Sequence, residues 1–418
     1  MPDPGVKGRR KGTEEDESFK TGAMRIITET ADLTGFVAEL ERGPFAAIDT
    51  EFMRDQTYWP KLCLIQAAGP ESAAIIDPLS KGIDLSPLHQ LLASKTVMKV
   101  FHAARQDIEI FHHQGGVIPD PLFDTQIAAM VCGFGEAASY ETLVRKITRS
   151  EIDKSARFTD WSRRPLSKRQ LEYALADVTH LREVYHTLAK ELQKTGRAHW
   201  VEEEEATLKD PVTYRLDPED AWRRLKPRST NKRFLTVLIA VAAWREREAQ
   251  ARDVPRNRIL KDEALLEIAA HPPATAEALA EIRAIPNGYA QSRAGKAIVA
   301  AVKEGLEGKL PDRMPPPERP RTAEPSPAVL DLLKTLLRLK AHQFRVAPRL
   351  VADSEDLERL AIGDDDGVPA LHGWRAEVFG RDAIALREGR LAIALEDGEA
   401  VVIETGTERR MKVRSVKG

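Results

Sequence analysis

The stretch Ala46-Ala47-Ile48-Asp49-Thr50-Glu51-Phe52 constrains the chain most, because it sets two carboxylates into a run otherwise composed like a buried β-strand. Side chains two apart on a strand point to the same face, so Asp49 and Glu51 project together. Two like charges held that close raise one another's pKa or require a cation. Hard carboxylate oxygens suit Mg²⁺ or Mn²⁺, and no His or Cys pair at zinc-ligand spacing sits nearby. The other account of an isolated D-x-E is an edge strand whose charges face water. The rest of the chain decides between them.

At 418 residues the chain has room for two or three domains. Its formal net charge of −2 gives no global attraction to nucleic acid, so any polyanion site has to come from local clustering of the 63 Lys and Arg. Two cysteines, Cys63 and Cys132, cannot build a disulfide framework and point to a reducing compartment. Residues 1–23 are polar, Gly-containing and charged, without the apolar core of a signal peptide, and read as a disordered extension. No apolar run approaches the roughly 20 residues that span a bilayer, so the expected location is the cytoplasm, with no membrane partner.

From Met24 the pattern alternates. Strands are expected at Met24–Thr28, across the acidic stretch, and at Leu62–Ala67, Ala73–Ile76 and Thr96–Phe101. Helices are expected at Asp32–Leu40, Leu85–Ala93, 105–114, 124–132 and 139–148. This is a mixed sheet covered by helices, an α/β domain. A second acid, Asp107, opens the helix after His102-Ala103-Ala104-Arg105-Gln106. A third element begins near Lys168, where Ser167 and Gln170 have capping-box spacing. Its buried stripe runs through Leu171, Ala174, Val178 and Leu181, and Tyr173 and Asp177 lie one turn apart beside that stripe.

Between Arg145 and Gln170 nine Lys or Arg stand against three acids, interleaved with Phe158 and Trp161, a composition that suits backbone tracking and base stacking. Trp161, Arg163 and Arg164 are its candidate contacts; a solvated loop around one buried Trp fits the same composition. Residues 222–261 carry twelve Lys or Arg and three acids along two helices, which adds Arg256 and Arg258 as candidates. Leu310–Pro327 holds seven prolines and reads as a linker, and the segment beyond it as predominantly helical. A β-like V-V-I-E-T run follows at 401–405.

Four carboxylates converging from these elements have the composition of a two-metal phosphoryl-transfer site, with Tyr173 placed to orient water or accept its proton. D-T-E-F at 49–52, H-A-A-R-Q-D at 102–107 and Y-A-L-A-D at 173–177 resemble the three exonuclease motifs of the DEDD superfamily in its Tyr-containing branch. F-D-T-Q at 123–126 and W-S-R-R-P-L at 161–166 narrow the resemblance to ribonuclease D. It implies a ribonuclease-H-like exonuclease domain over 24–210, followed by HRDC domains over 229–308 and 328–397. The linker falls at 309–327 and a tail at 398–418.

The implied activity is 3′→5′ removal of nucleotides from RNA, chiefly tRNA precursors, with two Mg²⁺ or Mn²⁺ ions and no obligatory protein partner. Asp49, Glu51, Asp107 and Asp177 carry over as metal ligands and Tyr173 as the water-positioning residue, with Asp124 a supporting helix cap. Exonuclease action on DNA and non-catalytic RNA binding are the competing readings.

Overall fold

The computed structural model describes residues 24–308, other than 228 and 230, and residues 324–405. The predicted extension, most of the predicted linker and the end of the tail lie outside the described residues.

Six strands form one sheet: β1 (Ile26–Ile27), β2 (Phe45–Met53), β3 (Lys61–Ala68), β4 (Ala73–Ile76), β5 (Met98–Phe101) and β6 (Leu122–Asp124). Their order is β1-β4-β3-β2-β5-β6, with β3 antiparallel to both neighbours and the other pairs parallel, the expected mixed sheet. The first half of β2 is buried on both faces, which is why Phe45 to Ile48 form an unbroken apolar run. Helices α1 (Thr30–Glu41), α2 (Ser86–Ala93) and α3 (Arg105–Gly115) cover one face. Helices α4 (Thr125–Val131), α5 (Tyr140–Ile147), α6 (Lys168–Thr195) and α7 (Ala198–Lys209) belong to the other. Both reciprocal bonds of the Ser167/Gln170 capping box are present, and α6 ends at Gly196 in the left-handed conformation, φ 70°. Strand β6 and helix α7 escape the sequence pattern. One is too short to show a period, and the other carries the acidic run Glu202–Glu205 through its middle.

Two helical modules follow. The first holds α8 (Lys232–Arg252), α9 (Arg256–Ile259), α10 (Asp262–Ala270), α11 (Ala276–Ala280) and α12 (Arg293–Glu307). The second holds α13 (Pro327–Phe344), α14 (Pro348–Val351), α15 (Ser354–Ile362), α16 (Gly373–Arg375) and α17 (Arg381–Arg387). The expectation of helix to Asp397 needs correction. Strands β7 (Leu391–Glu396) and β8 (Glu399–Glu404) pair in a hairpin around Asp397-Gly398, both at positive φ, so a boundary at 397 falls inside its turn.

Both modules are seated on the exonuclease domain. The Asp253 carboxylate, just past α8, accepts the backbone N–H of Tyr58 and Trp59, each at 3.0 Å. In the second module Trp374 stacks on Trp200 of α7 with ring centroids 4.4 Å apart, and Arg375 pairs with Glu204 at 2.5 Å. Among the described residues no helix is long and apolar enough to cross a membrane.

Candidate active site

Asp49 and Glu51 stand in the second half of β2, on the face that meets α6. Asp49 lies opposite Gln66 of β3 and Glu51 opposite Leu64, and the register slips between Glu51 and Phe52. Such a bulge ends regular pairing and re-aims the flanking side chains. Gln66 is fully buried and neither polar atom of its amide has a partner, so the strand position facing Asp49 keeps hydrogen-bonding capacity in reserve.

The second acid reaches the site through a strained turn. After β5 the chain passes Ala103 at φ 58°, a left-handed conformation rare for a residue with a Cβ. Asp124 holds that turn: its carboxylate accepts the N–H groups of Ala103 at 3.0 Å and Ala104 at 2.9 Å, and caps α4 through Gln126 N–H at 2.8 Å. The backbone N–H of Asp124 in turn donates to buried Glu205 of α7 at 2.6 Å. Burial raises the Glu205 carboxyl to about 8. With α3 launched in this way, Asp107 is buried in its first turn and accepts a hydrogen bond from the Thr50 hydroxyl, between the two acids of β2.

Helix α6 delivers the remaining groups. Tyr173 stands one turn before Asp177 and close enough for the two groups to act on each other electrostatically, and the Tyr140 hydroxyl at the start of α5 donates to the Asp177 carbonyl. Carboxylate oxygens of Asp49, Glu51 and Asp177 all lie within 4.8 Å of one another. Asp107 falls outside that set but is close enough for its charge to act on Glu51.

The electrostatics are those of crowded acids. Burial, then the charge of Asp177, holds the Asp49 carboxyl well above the usual range. Burial and the charges of Asp49, Asp177 and Asp107 push Glu51 up to about 10, against a partial opposing pull from Arg157. Asp107 is raised by burial and by Asp49. Asp177 is raised by burial to about 7, with the Tyr173 hydroxyl and Arg157 pulling the other way. The Tyr173 phenol is raised by burial and by the acids around it.

This donor set fits a hard divalent cation. It offers clustered carboxylate oxygens whose charged forms are mutually destabilising until a cation joins them. When bound, divalent metal offsets charge on a phosphoryl group and acidifies water. The chain's own residues bury Asp107 and Asp177, leave Asp49 and Glu51 half-buried, fix Asp107 through Thr50, and set Tyr173 beside the same cluster.

The candidate nucleic-acid contacts divide. Trp161 is 2% exposed and packs 6.1 Å from the Tyr173 ring, so its role is to back the tyrosine, and the stacking expectation is corrected. Arg164 turns inward for the same kind of reason: its guanidinium binds both Asp77 oxygens at 2.6 and 2.7 Å and the carbonyls of Cys63 and Trp161. Arg256 is fastened to Glu246 by two bonds of 2.6 Å and to the Tyr58 hydroxyl. Arg163 and Arg258 are exposed, pairing with Asp160 and Gln56. The exposed aromatic of the loop is Phe158, at 91%, with the Arg157 guanidinium 5.2 Å from its ring centroid. Composition marks this loop as cationic and aromatic; which aromatic faces inward depends on packing against α6.

A mixed sheet carrying an acidic cluster at β2, α3 and α6 defines the class: residues 24–193 match the 3′-5′ exonuclease family, and residues 234–302 match the HRDC domain. Ribonuclease D of Granulibacter bethesdensis is 52% identical over 384 residues, covering 91% of this chain and 97% of the relative. That of Nitrobacter hamburgensis is 50% identical over 381 residues, 91% and 100%. The crystal structure of Escherichia coli RNase D, an exoribonuclease involved in structured RNA processing, superposes with a TM-score of 0.75 at 29% identity, covering 88% of this chain and 99% of that one. The chain belongs to the ribonuclease D family and is a 3′-5′ exoribonuclease.

Proposed function

We propose that the enzyme releases nucleoside monophosphates one at a time from the 3′ ends of tRNA precursors and other structured RNAs in the cytoplasm, with no obligatory protein partner. Two Mg²⁺ or Mn²⁺ ions are held by Asp49, Glu51, Asp107 and Asp177. The observation that carries this reading is the convergence of those four acids and Tyr173 on one end of β2. Tyr173 acts as a neutral hydroxyl that orients water, because its raised pKa disfavours the phenolate a base would need. The structured-RNA substrate is supported by the E. coli relative, which acts in structured RNA processing.

The segment 328–397 is proposed as a second HRDC-like module, supported by an internal repeat. In each module a long helix ends on a left-handed residue, Asp253 at φ 47° or Arg345 at φ 49°. A four-residue helix, α9 or α14, follows, then an extended residue and a nine-residue helix, α10 or α15. RNA contacts are assigned to Arg163, Arg258 and the Arg157–Phe158 pair, whose ring is open to a base.

The test is digestion of a 5′-labelled, 3′-extended tRNA and a matched DNA strand, with and without Mg²⁺. Stepwise shortening of the RNA that needs both metal and Asp49 is expected, and Asp49→Asn should abolish it while RNA binding persists. Equal shortening of the DNA would widen the substrate class; intact RNA that is still bound would favour a binding protein. Tyr173→Phe is expected to lower kcat by about 10- to 100-fold with little change in KM. Wild-type turnover would remove Tyr173 from the mechanism.

A further inference from the structure

We infer that the cavity between the exonuclease domain and the first helical module is a phosphate-binding site, separate from the carboxylate cluster, that takes the backbone of a single-stranded RNA segment. Only the identity of the ligand rests on the exoribonuclease reading. The cavity has a volume of about 770 Å³ and contains none of the site carboxylates. Five arginines line it: Arg54 and Arg105 from the exonuclease domain, Arg224 from the connection, and Arg245 and Arg256 from the first module. Two acids, Glu109 and Asp262, share the wall, and each is already engaged, with Arg54 and Arg245 respectively.

The cations that remain set the chemistry. Arg105 and Arg224 are exposed and, among the described residues, neither makes a hydrogen bond or ion pair; the charge of Arg224 acts at longer range on Glu246, which Arg256 already pairs. Arg245 is only 3% exposed; its Nη1 serves the Leu260 carbonyl and Asp262, while its Nε–H is buried and unpartnered. That Nε–H is sealed from the cavity, so the site's oxyanion chemistry rests on the exposed Arg105 and Arg224, whose planar guanidinium groups can each offer an oxyanion two N–H groups. Arg256 is held rigid by Glu246 and Tyr58, so part of the wall is ordered before any ligand arrives.

Position argues for a polymer. Arg105 and Gln106 line the cavity and immediately precede Asp107, so the cavity and one of the site acids share the first turn of α3. An RNA whose 3′ end lies at the carboxylates has upstream phosphates to place nearby. The volume exceeds a single phosphate and falls in the range of nucleotide-sized sites.

The test uses the full-length protein in chelator, where hydrolysis is off, and measures binding of a 5′-fluorescein-labelled 12-nucleotide single-stranded RNA across a salt series. Arg105→Gln with Arg224→Gln is expected to weaken binding by about tenfold and to reduce the log–log salt slope by about 1.4, two contacts at roughly 0.7 each. Arg105→Lys with Arg224→Lys is expected to retain the wild-type slope, because the charge is kept. An unchanged slope in the Gln pair overturns the inference, and so does an equal loss in both pairs, which would indicate a structural role. Calorimetric titration with AMP provides the remaining arm. If the Gln pair loses AMP binding while its RNA slope is unchanged, the site belongs to a free mononucleotide and the RNA assignment fails. Should the wild-type enzyme release no nucleotides from RNA in Mg²⁺, the exoribonuclease reading fails while this binding result stands by itself.

Discussion

Asp49, Glu51, Asp107 and Asp177 are held where their charges oppose one another, so the metal-free site opposes folding as its acids ionise. The folded value of Glu51 is raised to about 10 from an ordinary 4.5, and that of Asp177 to about 7 from 3.8. Between those limits the unfolded chain has lost the protons that the folded chain retains, so stability falls as pH rises. The contribution is complete below the unfolded values and is progressively lost toward the folded ones. Divalent metal binds the deprotonated carboxylates and only in the folded state, so its stabilisation grows over the same window, reaching about 2.7 kcal/mol at a hundredfold excess over Kd. The expected outcome in thermal melts is a gap between Mg²⁺ and chelator that widens from about pH 5 to about pH 9. A gap that stays constant would mean that the acids are ionised in the metal-free fold. Asp49 and Glu51 were legible from their place in an apolar strand run, whereas Asp107 and Asp177 stood out only through the H-A-A-R-Q-D and Y-A-L-A-D motifs. Gln66 and Glu205 were not legible: one is a neutral amide whose significance appears only in register with Asp49, and the other sits in a run of four glutamates of which one turns inward.

At the scale of elements, the sequence located most strands and helices because their periods and caps are local properties. The Ser167/Gln170 box fixed the start of α6, and Ala73–Ile76 was bounded by its own composition. The loop before α6 shows the limit of that reasoning. Its composition marks cations and aromatics together, but inward or outward facing is decided by contacts with β3, β4 and α6, far away in sequence. Trp161 fills the space behind Tyr173, and Arg164 ties the loop to Asp77 and the Cys63 carbonyl. Arg164→Ala leaves the largely buried Asp77 carboxylate uncompensated and is expected to cost about 3 kcal/mol. That loss would read as a lower melting temperature with the RNA salt slope intact. Phe158→Ala removes an exposed ring and should do the opposite, weakening RNA binding at unchanged stability. A melting temperature unaffected by Arg164→Ala, or RNA binding unaffected by Phe158→Ala, would reverse the assignment for that residue.

The whole molecule is an exonuclease domain gripped on two sides, an arrangement no local pattern in the sequence reveals. The first grip is compact. One carboxylate, Asp253, accepts two backbone N–H groups from Tyr58 and Trp59, and Tyr58 passes its hydroxyl into the Glu246–Arg256 pair. Asp253 occupies a left-handed position at φ 47°, so it serves both as the end of α8 and as the clasp between domains. Asn tolerates that conformation and keeps an acceptor oxygen, whereas Ala loses the acceptor and adds strain. Asp253→Asn is therefore expected to resemble the wild type, and Asp253→Ala to lose about 1–2 kcal/mol as one part-buried and one exposed N–H lose their acceptor. Amide hydrogen exchange locates the effect: in Asp253→Ala, Tyr58 and Trp59 should exchange faster while β2 and β3 remain protected. If those two amides kept wild-type protection, the first module would be held by its apolar contacts alone. Because Tyr58 also lines the arginine cavity, the same variant shows whether that cavity depends on the clasp. Weakened RNA binding without a change in the melting of the sheet is the expected result.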